Sequence, residues 1–252
     1  MNKVILDFQS EIMKIYEEHG LACFKGLNRE YEIKGKQAVA WYNETTHKGS
    51  LAYRENFNFF KNFDDLTFCS DEIMYFLANM YLYRPFLNNP IKDSYFHGGK
   101  IVYPNFQNLA ALRYSMFANI MCEKIYNFWD RIGDLLNAYF PKLFAPNQVY
   151  FGKVIDNIPS DFHNDNYSWL KDFKNNQFSE VNKMRRDAVH YFTEDTEFKH
   201  EHIWAFSDKV KVEELVAKRH GLADYFKMHM QLTFDGFEHT MNLIDLITAE
   251  TL

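Results

Sequence analysis

Phe128-Trp129-Asp130-Arg131-Ile132-Gly133-Asp134-Leu135-Leu136-Asn137-Ala138-Tyr139-Phe140, followed by Pro141, is the stretch that decides the fold class. Phe128, Ile132, Leu135, Leu136 and Tyr139 recur at helical spacing, and Leu109, Leu112, Met116 and Ile120 carry the same stripe upstream. The pattern predicts one helix from about Gln107 to Phe140, closed by Pro141 because the residue before a proline disfavours helical backbone. At about 1.5 Å of rise per residue it would span roughly 50 Å, long enough to bend.

Outward from this helix, the same period recurs. A first helix is expected from Lys3 to His19, stopping at Gly20, with Val4, Phe8, Ile12 and Ile15 on one face. Ser70 reads as the cap of a helix from Asp71 to Arg84, ended by Pro85. Shorter helices are expected at Val149–Asp156, Tyr167–Asn175 and Phe178–Phe192. Ser207 reads as the cap of a helix reaching Gly221, and a final helix covers about Asp224 to Thr248. Leu87–Tyr103, with Pro90, Gly98 and Gly99, reads as a connecting loop, and the polar, histidine-bearing Thr193–Phe206 as another. Val39 and Trp41 alternate with Leu51 and Tyr53 across the polar turn Asn43–Gly49, which gives a small β-hairpin. The expectation is an all-α chain: an N-terminal helical region with that hairpin over residues 1–104, packed on a main helical bundle over residues 105–252.

Composition narrows the function. A chain of 252 residues with 47% apolar content can bury a full core. A net charge of −6 argues against a broad basic face for duplex binding, yet leaves room for a local cationic pocket. Cys23, Cys69 and Cys122 are too far apart for zinc spacing and form no disulfide framework, which favours a reducing, cytoplasmic setting. Residues 1–16 lack the pattern of a secretory signal, and no apolar run is long enough to span a membrane. His163, His200, His202, His220, His229 and His239 contain no pair at i, i+4, so neither a metal nor a cofactor is expected.

The segment richest in chemistry is Met184-Arg185-Arg186-Asp187-Ala188-Val189-His190-Tyr191-Phe192. On a helix Arg186 and His190 share a face, while Arg185 and His190 stand about 140° apart, a gap that the long arginine stem can bridge. Guanidinium matches the oxygens of a phosphate, and imidazole moves a proton near neutral pH. Tyr191, Phe192 and Trp204 offer rings on which bases can stack. The bland reading of the same residues is a salt-bridged helix whose histidine satisfies a core hydrogen bond.

Two segments together resemble the HEPN superfamily (higher eukaryotes and prokaryotes nucleotide-binding). The Phe128–Phe140 stretch is similar to the long-helix signature of prokaryotic members, and Arg185-Arg186-Asp187-Ala188-Val189-His190 fits the family's pattern of Arg, four to six residues, His. Arg186 stands where a small polar residue is more usual. The resemblance implies a HEPN-like bundle of long antiparallel helices and a metal-independent endoribonuclease of the toxin or phage-defence type. Arg185 and His190 would be catalytic, with Arg186, Asp130 and Tyr191 supporting or binding substrate. It further implies a homodimer with its site across the two-fold axis, RNA or a nucleotide as ligand, and an antitoxin or defence-system partner. The same pocket is also compatible with a module that binds nucleotide or RNA without cutting it, or with a dimeric interaction domain.

Overall fold

A computed structural model describes residues 3–26, 30–47, 57–140 and 144–250. The elements in chain order are α1 (Lys3–His19), β1 (Glu32–Ile33), β2 (Lys36–Gln37), α2 (Ala38–His47), α3 (Phe59–Tyr83), β3 (Tyr95–His97), β4 (Lys100–Val102) and α4 (Leu109–Tyr139). They continue with α5 (Phe151–Asp156), α6 (Asp165–Asn175), α7 (Gln177–His190), α8 (Glu194–Ala205) and α9 (Lys209–Glu250). The fold is all-α apart from two antiparallel pairs of very short strands. Two compact units are each assembled from three stretches, and α3, α4, α7 and α9 run through both.

One unit gathers Ala22–Met74, Lys124–Asn182 and His229–Leu252. Its centre is Trp129, fully buried, with ring centroids 4.0 Å from Phe173 and 4.9 Å from Phe151. Phe24 packs edge-on against Phe128 and Phe234. Two glycines let backbones approach this cluster. A Cβ on Gly236 would sit 2.1 Å from the Trp129 ring, and one on Gly133 would sit 2.8 Å from the Phe151 Cα. The small residue in the Asp130–Gly133 segment is therefore a packing notch where α5 crosses α4.

The other unit gathers Met1–Leu21, Tyr75–Glu123 and Lys183–Met228. Buried Tyr114 places its hydroxyl in a step of the α9 ladder. It donates to the Arg219 carbonyl at 3.0 Å and accepts from the Ala223 N–H at 3.1 Å. A hydroxyl bridging an i→i−4 pair is one of the known ways in which helices yield locally.

Several sequence expectations are corrected. Val39 and Trp41 lie on α2, not on a strand; the helix buries Trp41 and Tyr42 and leaves Val39, two residues before Trp41 and on the opposite side, exposed. Their proposed partners Leu51 and Tyr53 lie outside the described residues. Thr193–Phe206 is largely helical: Thr193 caps α8, its side chain accepting from the Thr196 N–H. The two C-terminal helices are one, because Gly221 is helical rather than a left-handed cap, and Asp208 rather than Ser207 receives the Lys211 N–H at its start. The Ser70 helix begins at Phe59; the Ser70 hydroxyl caps nothing and instead accepts from the Phe24 N–H at 3.0 Å. The Leu87–Tyr103 connection contains the β3–β4 hairpin. It turns at Gly98 and Gly99, whose φ values of +57° and +81° suit a tight hairpin turn.

Candidate functional site

The motif helix α7 is anchored at one end and open at the other. Near its start Phe178 stacks on Tyr126 at 5.7 Å and meets Phe151 edge-on at 5.0 Å, and Val181 is fully buried. Past Lys183 the burial fades. Arg185 is half-buried, while Arg186 and His190 are exposed. One helical turn apart, Arg186 and His190 occupy the solvent-facing side of α7. Arg185 is rotated from Arg186 by about 100°, which turns its stem toward the packed side.

His190 is the last residue of the helix, and the next turn is closed by the Tyr191 N–H on the Asp187 carbonyl at 2.9 Å. A cation there faces the negative end of the helix dipole. The rings and methyls around it stay in water: Val189 is 64% exposed, Tyr191 75% and Phe192 59%. A half-buried guanidinium, an exposed one, an imidazole and open aromatic rings thus share one helix end. Asp130 belongs to the other unit, where its Oδ1 accepts from the Phe151 N–H at 3.2 Å and so satisfies one of the orphan donors at the start of α5.

Sequence reasoning did not find a second polar centre at the start of α8. Asp195, nearly buried, accepts from Arg219 at 3.0 Å, from the Ser115 hydroxyl at 3.1 Å and from Gln107 Nε2 at 3.1 and 3.0 Å, and pairs with Lys199 at 2.6 Å. Burial pushes the Asp195 carboxyl up, but hydrogen bonds from Lys199 and Ser115 and the Arg219 charge outweigh it and hold the group below the usual carboxylate range. Arg219 is itself buried, with its guanidinium 4.5 Å from the centre of the Phe198 ring. A buried ion pair of this kind is stable only as a set, because neither charge has water to fall back on. Its members come from the segment before α4, from α4, α8 and α9, and beyond the i, i+4 pair Asp195–Lys199 no spacing in the sequence links them.

Burial pushes the thiols of Cys23 and Cys122 up to about 12 and that of Cys69 to about 11, which leaves none as a ready nucleophile. Among the described residues no three His, Cys, Asp or Glu side chains gather as a metal site, and no helix is long and apolar enough to cross a membrane.

Residues 70–242 match the family described as HEPN_Cthe2314-like HEPN. No curated protein and no solved structure matches the chain. The family match takes in α4 with its glycine notch, the whole motif helix and most of α9, well over half of the sequence, and the chain belongs to the HEPN superfamily.

Proposed function

We propose that the protein is a metal-independent endoribonuclease whose working groups are Arg185, Arg186 and His190 at the open end of α7. The observation that carries this reading is the placement of Arg186 and His190 one turn apart on a solvent-facing surface, with Arg185 half-buried beside them. In the reaction, His190 takes the proton of a ribose 2′-hydroxyl, and the freed oxygen attacks the adjacent phosphorus. The guanidinium groups stabilise the charge that builds on the non-bridging oxygens. The bond to the 5′-oxygen breaks, that oxygen takes a proton from solvent or from the imidazolium, and the products are a 2′,3′-cyclic phosphate and a 5′-hydroxyl. Arg185 has the motif position and Arg186 the better helical alignment with His190; both act on the phosphate.

Val189, Tyr191 and Phe192 supply an apolar rim next to the charged groups. That rim suits a homodimer in which two copies of α7 face one another, with Tyr191 available to stack on a base. A cytoplasmic toxin or phage-defence role, restrained by an antitoxin or defence-system partner, follows from the same reading.

The test is chemical. Purified protein incubated with mixed RNA in a metal chelator should yield fragments with cyclic phosphate ends, and a substrate with 2′-deoxyribose at the cleavage position should resist. Saturable RNA or nucleotide binding with no cleavage in the same buffer would replace the nuclease by a binding module.

A further inference from the structure

The end of α7 that carries Arg186 and His190 has no apolar anchor of its own. Between Val181 and Phe198 no residue is fully buried, so the last turns of α7 and the first turn of α8 lie outside the core. A helix end of this kind opens easily unless polar contacts hold it. The connection between the two helices is residues 191–193, and three residues reach at most about 11 Å. Both of its ends are closed. The Tyr191 N–H donates to the Asp187 carbonyl at 2.9 Å, and the Thr193 carbonyl accepts from the N–H groups of Thr196 and Glu197 at 2.9 and 3.0 Å. Phe192 alone stands between these two turns, so whatever fixes the start of α8 also constrains the end of α7.

The start of α8 is fixed by Asp195. Its carboxylate accepts from Ser115 on α4, from Arg219 on α9, and from Gln107, which lies on the wall of a groove lined by the rings of Tyr95, Phe106 and Phe206 beside α8. Arg219 in turn donates to the Ala111 carbonyl at 3.3 Å and to the Ser115 hydroxyl at 3.1 Å, so one buried guanidinium joins α9 to both α4 and α8. Hydrogen bonds between ionised partners are stronger than neutral ones, and burial keeps water from competing for them. The neighbouring carboxylate is different. Glu194 meets Lys218 at 3.5 Å, and that lysine is mostly exposed, so the pair holds little.

We infer that Asp195 is a positioning residue for the open end of α7: by tying the first turn of α8 to α4 and α9, it sets where Arg186 and His190 stand. The inference deepens the nuclease reading and rests on it for the effect on rate. The placement of the helix end is measurable without RNA.

Loss of the carboxylate alone strands Arg219, so the first test variant combines Asp195→Leu with Arg219→Met, which removes both charges and leaves apolar volume in their place. The second combines Gln107→Ala with Ser115→Ala; it cuts two ties and keeps the ion pair. Amide hydrogen exchange is followed on the full-length proteins without RNA. At residues 187–193 the first variant should exchange at least about tenfold faster while the middle of α4 keeps its protection, and the second should shift the same amides less. Glu194→Gln should exchange like the unaltered protein. In RNA cleavage the first variant should lose at least about tenfold in kcat with KM held within about twofold, because a misplaced reacting group costs rate more than binding. Unchanged exchange at residues 187–193 in the folded variants would overturn the inference. So would a rise shared equally by α4, which is lost stability rather than lost position, or an unchanged kcat. If the unaltered protein cuts no RNA and exchange still rises at residues 187–193 alone, the nuclease reading fails and the placement of the helix end by Asp195 stands.

Discussion

The aromatic core around Trp129 and the open end of α7 use their residues in opposite ways. In the first, Gly133 and Gly236 are small because ring and backbone atoms occupy the space that a side chain would need. In the second, Val189, Tyr191 and Phe192 are large and apolar and remain in water, beside the exposed Arg186 and His190. A folded chain buries rings where it can, so a helix that begins with buried Phe178 and Val181 and ends in open rings has its second half shaped by something other than its own core. The difference assigns stability to the first region and, in the proposed function, recognition to the second.

That contrast can be broken at several points. The largest effect on stability should come from Asp195→Ala, which strands the buried Arg219 charge; a loss of about 3 kcal/mol or more is expected in urea unfolding. A loss within about 0.5 kcal/mol would mean that the pair is a bystander. Gly236→Ala forces a methyl against the Trp129 ring and should cost about 3 kcal/mol, visible as a lowered melting temperature with altered tryptophan fluorescence.

Acid should act on the core of the same unit through His229. That residue is fully buried, and burial lowers its pKa from 6.5 to about 4. Because the unfolded chain binds the proton more readily, this stabilisation is complete above about pH 6.5 and is lost as the pH falls toward about 4, at most about 3 kcal/mol in all. Unfolding free energies measured from pH 7 to pH 4 should fall across that window, and His229→Leu should flatten the slope; an unchanged slope would remove His229 as its cause. The smallest effect is expected at the open end of α7, where Arg186→Ala and Tyr191→Ala should leave the melting temperature unchanged. A marked drop there would turn the exposed helix end into a packing element.

How much of this was legible in the sequence follows from how local each determinant is. The stripe on α4 is a property of neighbouring residues and predicts the helix to within two residues at either end. The polar α8 carries no such stripe, because only Phe198, His202 and Ala205 turn inward among acidic and basic neighbours; what makes it a helix is the Thr193 cap with Glu194, Asp195 and Glu197 in its first turn. Gly221 suggested a helix end, and α9 does meet a foreign hydroxyl there, from Tyr114, without breaking. Ser70 looked like a cap because its real partner, the Phe24 N–H, is 46 residues away.

For the site the division is similar. Arg185, Arg186 and His190 were readable because one helix carries them. The Asp195 cluster joins Lys199 on its own helix to Gln107, Ser115 and Arg219 on other segments, so only the folded chain reveals it as a whole. The ring-lined groove beside α8 is hidden for the same reason, and also because the polar sequence of α8 reads as a loop.

The most direct measurement is the single-turnover rate of RNA cleavage in a metal chelator, for the unaltered protein and for His190→Ala with matched melting temperatures. General acid–base catalysis by a single group contributes typically about 100- to 10,000-fold, so a loss of at least about 100-fold is expected. Equal rates for the two proteins, or no cleavage by the folded unaltered protein on any RNA, would contradict the account.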